Sequence, residues 1–97
     1  MAEQQTGFTM IPNWVLMHPD LGRVDIAVYL VIAHHADNLT RESFPGKKLI
    51  MAEAKLGSEY YLRTSLRRLE EVGAIETGFR PGYSNRYRLP KDAPTGR

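Results

Sequence analysis

Between Gly57 and Gly73 runs an uninterrupted segment, SEYYLRTSLRRLEEV, whose leucines at 62, 66 and 69 recur at helical spacing. At about 100° per residue these side chains fall within one narrow arc, flanked by Ser65 and Val72, so the segment must lay one face on a core. Ser58 stands where its hydroxyl can accept a first-turn N–H, and Gly73 where a helix commonly ends. The opposite arc collects Tyr60, Arg63, Thr64, Arg67 and Glu71. Long cationic and hydrogen-bonding groups thus crowd the N-terminal half of a face that solubility alone would leave with mixed charge.

The flanking sequence supplies what this helix packs on. Residues 47–55 read as a second helix with Leu49, Ile50, Ala52 and Leu56 available to the core. A tight glycine-containing turn joins the two, which is the helix-turn-helix pattern. Residues 23–37, RVDIAVYLVIAHHAD, are rich in strand formers, but an unbroken segment of this length exceeds an ordinary buried strand. It reads as a central helix, apolar nearly all round. Downstream, AIETGFRPGYSNRYRLP reads as two strands, 74–80 and 85–89, joined by a turn at PGYS. Strand alternation puts Tyr87 and Leu89 on one face and Arg86 and Arg88 on the other.

At the front, GFTMIP has the alternation of a short strand, and Pro12 with Asn13 starts a brief helical segment through residue 17. ESFPG can hold one more short strand. Phe8 and Trp14 are expected to pack on the central helix, and Tyr29, Phe44 and Phe79 to be core residues. The expected fold is α+β, a winged helix-turn-helix: a three-helix core, a short N-terminal helix and an antiparallel β-hairpin wing. It spans residues 8–89, with flexible tails at 1–7 and 90–97.

Composition narrows the function classes. Ninety-seven residues suffice for one modest core but not for a core plus a large enclosed cavity, which disfavours an enzyme. With no cysteine, disulfides, thiol nucleophiles and cysteine-ligated zinc are excluded. No apolar signal-peptide core is seen in MAEQQTGFTM and no run is long enough to span a bilayer, so a cytoplasmic protein with no membrane partner is expected. His18, His34, His35 and Asp37 lack metal-ligand spacing, no phosphate-cradling glycine motif exists, and neither a metal nor a cofactor is implied. The net charge of +2 hides a polarity: residues 1–46 hold two Lys or Arg against five acids, residues 47–97 eleven against six. A basic C-terminal half points to an anionic partner, most simply double-stranded DNA.

Within that reading, Arg63 and Arg67 are the candidates for base contact, since arginine can bond guanine O6 and N7 together. Ser58, Tyr60, Tyr61 and Thr64 stand beside them for phosphate oxygens or base edges. In the hairpin, Arg80, Tyr83, Ser84, Asn85 and Arg86 are candidates for the phosphate backbone or a minor groove, and Lys47 and Lys48 for further phosphates. The competing account is that the arginines pair with Glu59, Glu70 and Glu71 as surface neighbours at i,i+3 or i,i+4. A second function class is a protein-interaction module using Tyr60, Tyr61 and Tyr83 as a partner surface.

The run LIMAEAKLGSEYYLRTSLRRLEEVGAI followed by PGYSNRYRL resembles a winged helix-turn-helix domain. With SFPGKKLI before it and IPNWVLMHPDLG at the front, it is similar to the domains of phage and plasmid replication initiators and related mobile-element regulators. The resemblance covers residues 8–89. It implies that 58–72 is the recognition helix, that SNRYRL closes the wing, and that the role is replication initiation of a mobile element or transcriptional regulation. It is compatible with a monomer or weak homodimer within a larger replication or transcription complex. One departure lies in the turn, where those families often place a glycine, an apolar residue and a serine. This chain has Leu56, Gly57 and Ser58 there, which implies a slightly different turn geometry.

Overall fold

A computed structural model describes residues 8–93, so the tail expected at 1–7 and the last four residues of the one expected at 90–97 lie outside the described residues. Among the described residues, four helices and three strands follow one another as α1 (Asn13–Leu16), α2 (Arg23–His34), β1 (Glu42–Ser43), α3 (Lys47–Glu53), α4 (Glu59–Glu71), β2 (Glu76–Gly78) and β3 (Arg86–Arg88). The strands form one antiparallel sheet in the order β1-β3-β2, giving an α+β fold. In this register Tyr87 lies opposite both Ser43 and Thr77, and Arg88 opposite both Glu42 and Glu76.

Alternation works as expected in β3, where Tyr87 and the following Leu89 are fully buried and Arg86 and Arg88 are exposed. Ile50 of α3, Leu62 and Leu69 of α4, Val28, Tyr29 and Ile32 of α2, and Ile75 complete the centre of the core. α2 packs chiefly against α4. The Ser43 hydroxyl, also buried, donates to the Ile32 carbonyl at 2.8 Å and ties β1 to the middle helix.

Several expectations are corrected. Residues 8–12 form no strand. Phe8 is 86% exposed rather than packed on α2, whereas Trp14 is half-buried against the core. Phe44 and Phe79 are exposed, at 46% and 79%. Ser43 points inward beside Tyr87, so alternation turns Phe44 outward, and Phe79 follows the largely exposed β2. Leu49 and Ala52 also lie exposed on α3, leaving its burial to Ile50 and, in part, to Met51, Ala54 and Leu56.

α2 stops at His34, short of residue 37, because Asp37 serves a turn instead. Its carboxylate accepts the N–H groups of Leu39 and Thr40 at 2.7 and 3.0 Å. Those two backbone donors, Thr40 first, hold the Asp37 carboxyl below its ordinary pKa. The turn delivers Arg41, at φ 63°, to the end of β3, where the Leu89 N–H meets the Arg41 carbonyl at 2.9 Å.

Helix ends explain the α3–α4 junction. α4 closes with the Gly73 N–H on the Glu70 carbonyl and the Ala74 N–H on the Leu69 carbonyl, at 3.1 and 2.9 Å, with Gly73 at φ 83°. This is the Schellman arrangement, and the left-handed residue is the glycine that suits it. α3 closes the same way, with the Lys55 N–H on Ala52 and the Leu56 N–H on Met51 at 3.3 and 2.9 Å. There the left-handed residue is Lys55, φ 60°, two positions before the glycine. At the start of α4, Ser58 occupies the cap position but its hydroxyl makes no capping bond, contrary to expectation.

One buried polar cluster spans the core. Asp25, 1% exposed, sits in the first turn of α2. Its carboxylate accepts the Gly22 N–H at 2.9 Å, the Ser65 hydroxyl at 2.7 Å and Arg68 Nη1 at 2.8 and 2.9 Å. Leaving that carboxylate without its cation strands a desolvated charge. Arg68→Ala is therefore expected to lower unfolding free energy by about 2–3 kcal/mol, less than for a fully buried pair because Arg68 is partly solvated. Urea denaturation measures it, and a loss under about 0.5 kcal/mol, the range of an ordinary surface substitution, would contradict the role. Lys55→Gly relieves a left-handed lysine and is expected to raise stability by up to about 1 kcal/mol. A lower urea midpoint for this variant would count against the strain.

Candidate nucleic-acid interface

α4 divides cleanly into two faces. Leu62, Ser65, Leu66 and Leu69 are buried, so the helix can be rotated in only one way. That rotation leaves Tyr60 and Tyr61 exposed at 64% and 53%, Arg63 and Arg67 exposed, and Thr64 half-buried between them. The two tyrosine rings meet edge to face, with centroids 5.7 Å apart. Arg63 approaches Glu59 one turn earlier at 3.6 Å, a long, exposed i,i+4 pair of small energetic weight. Arg67 makes no ion pair among the described residues, although Glu71 has the spacing for one.

A second group gathers between α3 and the β2–β3 hairpin. Arg80 through Tyr83 form the turn, with the Tyr83 N–H donating to the Arg80 carbonyl at 3.0 Å and Gly82 at φ 81°. Proline at the second position and left-handed glycine at the third make this a type II turn, one residue earlier than PGYS. A cleft of about 590 Å³ opens beside it, lined by Lys47 and Lys48 from α3 and by Arg80, Tyr83, Ser84 and Asn85 from the hairpin. Residues 32–38 positions apart in the chain thus share one surface.

Arg80 does not hang free in this cleft. Its guanidinium carbon lies 4.5 Å from the Phe44 ring centre and 5.5 Å from that of Tyr83, and its Nε donates to the Ser84 carbonyl at 2.7 Å. Two cation–π contacts and one hydrogen bond fix the residue while leaving its outer nitrogens available. Phe44 was therefore misread as core because its partner is a cation 36 positions away. No local sequence signal marks such a pairing.

Arg86 lies elsewhere. It crosses Gly78 and reaches Glu42 at 3.6 Å, while Arg88 bonds Glu76 at 2.9 Å. These pairs form a neutralised band across the exposed face of the sheet. Arg86 is thus separated in charge environment from Lys47, Lys48 and Arg80, although it adjoins Asn85 in sequence. His35 pairs with Glu53 at 2.8 Å and His34 with the Thr9 hydroxyl at 3.3 Å, so each histidine has an ordinary neighbour. Among the described residues, no group of three potential metal ligands occurs and no helix is long and apolar enough to cross a membrane.

Tyr87 underlies the cleft. Burial raises the pKa of its phenol, with a nearby Asn85 side chain acting in the opposite sense. Its hydroxyl nevertheless has no hydrogen bond of good geometry. Tyr29 is comparable: burial raises its pKa, Arg41 opposes the shift, and the hydroxyl lacks a well-formed bond.

Comparisons with protein-family models, curated proteins and solved structures return no match.

Removing a buried hydroxyl that has no partner leaves nothing else unsatisfied. Tyr87→Phe is expected to hold or raise the thermal midpoint. A loss above about 1 kcal/mol would instead reveal a hydrogen bond to Asn85 of ordinary net strength.

Proposed function

We propose that this chain is a winged helix-turn-helix domain that binds duplex DNA, with α3 and α4 as the helix pair, α4 as the recognition helix and the β2–β3 hairpin as the wing. The observation that carries the reading is the division of α4. Its core contacts consume the leucine arc, and the exposed arc offers Tyr60, Tyr61, Arg63, Thr64 and Arg67 to a partner.

An α-helix fits the major groove, and each exposed group on α4 has a chemical counterpart there. Arg63 and Arg67 bond guanine O6 and N7, with discrimination of about 1–3 kcal/mol for a good bidentate pair. Thr64 and the tyrosines meet phosphate oxygens, base edges or the thymine methyl. The weak Glu59 pairing costs Arg63 little when it turns to a base. Ser58, its hydroxyl uncommitted to capping, remains available to a phosphate.

The cleft cations Lys47, Lys48 and Arg80, with Tyr83, Ser84 and Asn85, provide the flanking backbone contacts. Arg86 has the weakest claim to this surface because Glu42 already answers its charge. The role in the cell is replication initiation of a mobile element or transcriptional regulation, since both processes employ such domains. The resemblance of residues 8–89 to the domains of replication initiators and mobile-element regulators supports that pair of roles.

The protein-interaction reading draws on one observation, the exposed edge-to-face Tyr60–Tyr61 pair, because clustered tyrosine is also hot-spot chemistry. Salt separates the two. Fluorescence anisotropy against a labelled duplex is expected to give binding at about 10⁻⁴–10⁻⁶ M for a non-specific sequence, falling steeply as salt rises. Combined Tyr60→Ala, Arg63→Ala and Arg67→Ala substitutions should weaken it at least about tenfold through lost phosphate and base contacts. Absence of duplex binding at low salt, or binding indifferent to the substitutions, would defeat the proposal.

A further inference from the structure

The hairpin exposes more aromatic surface than duplex contact requires. Phe79 is 79% exposed and Tyr83 76%, while Phe44, in contact with Arg80, is 46% exposed. Apolar rings held in water at one place mark a surface that meets something. Phe79 and Tyr83 both line the cleft, together with Lys47, Lys48 and Arg80, and among the described residues no carboxylate lines it. Thus two exposed rings and three cations border the same concave space.

The volume, about 590 Å³, is within the range of small-ligand sites and would admit one or two nucleotide units. The contacts of Arg80 with both Phe44 and Tyr83 also order part of the aromatic surface before anything binds. A protein partner rich in acids could satisfy the lysines but would leave the flat ring faces without a matched group. Unpaired bases with their phosphates satisfy both.

We infer that the cleft between α3 and the hairpin binds single-stranded DNA, stacking an unpaired base on Phe79 or Tyr83 while Lys47 and Lys48 meet its phosphates. The function deepens the nucleic-acid reading but is separable from it: reading of duplex bases rests on α4 and stacking of an unpaired base on the cleft rings, while the cleft cations can meet phosphates of either strand form. A domain with both surfaces would hold a duplex beside an opened segment. The Asn85 carboxamide at the cleft edge adds a donor and an acceptor for a base edge.

The test is anisotropy of the full chain with labelled short oligothymidylate, a duplex of equal length, and an abasic strand of equal length. Wild-type protein is expected to bind the oligothymidylate, and combined Phe79→Ala and Tyr83→Ala to weaken that binding at least about tenfold, the scale of losing base–aromatic stacking. Both side chains are largely exposed, so the variant should retain the wild-type far-ultraviolet spectrum, and Phe79→Ala alone, at a residue with no part in the proposed duplex contacts, should retain duplex binding. The abasic strand should bind wild-type protein as weakly as oligothymidylate binds the variant. A separate Lys47→Gln and Lys48→Gln variant should flatten the salt dependence of oligothymidylate binding. Failure of wild-type protein to bind oligothymidylate, insensitivity to loss of the rings, or equal affinity for the abasic strand would each overturn the inference. Loss of duplex binding alone, with oligothymidylate binding intact, would refute the α4 reading and leave the cleft assignment standing.

Discussion

The buried carboxylate of Asp25 organises the rest of the molecule. It sits at the start of the middle helix and bonds Ser65 and Arg68 on the fourth, so it sets the height and rotation of one helix against the other. Apolar packing alone would tolerate small slides between two leucine-lined faces. A carboxylate that must keep three donors does not. Because α4 is held by Ser65 and Arg68 on the inside, Tyr60, Arg63, Thr64 and Arg67 are held in a defined direction on the outside.

The same economy links the sheet to the surface. β3 is central, so its inward Tyr87 and Leu89 anchor the hairpin while its outward arginines are answered by Glu42 and Glu76 from the strands on either side. Charge on the sheet face is thereby cancelled, and uncompensated positive charge is concentrated beside α3 and the type II turn. In the proposed winged-helix reading, this separates the structural arginines from the contacting cations. Sequence adjacency is a poor guide to that division, as Arg86 and Asn85 illustrate.

Periodicity made most of the architecture legible. The leucine arc of α4, the glycine at its end, and the alternation around Tyr87 all appear in the structure because they are local consequences of helix and strand geometry. Long-range pairings were not legible. Asp25 and Arg68 are 43 positions apart, and a charged residue near a helix start ordinarily reads as surface. Phe44 and Phe79 read as core because they are apolar, yet both are exposed, Phe44 because Ser43 takes the inward position of β1. The left-handed Lys55 was hidden for another reason: α3 ends at Glu53 with Ala54 as its cap, so the left-handed position after the cap falls on Lys55, short of the glycine. For the candidate interface, the exposed face of α4 followed from helical rotation. The cleft joining Lys47 and Lys48 to Tyr83 depends on how the helix pair docks beside the hairpin.

The central claim is that α4 presents a DNA-reading face, and the most direct measurement is backbone amide chemical-shift mapping during titration with duplex DNA. The account predicts the largest changes at residues 58–67, with a second group around Lys47, Lys48 and the Arg80–Asn85 turn, and little change along the core-facing α2. Changes absent at low salt, or concentrated at α1 and the His34–Leu39 end while α4 stays silent, would contradict it.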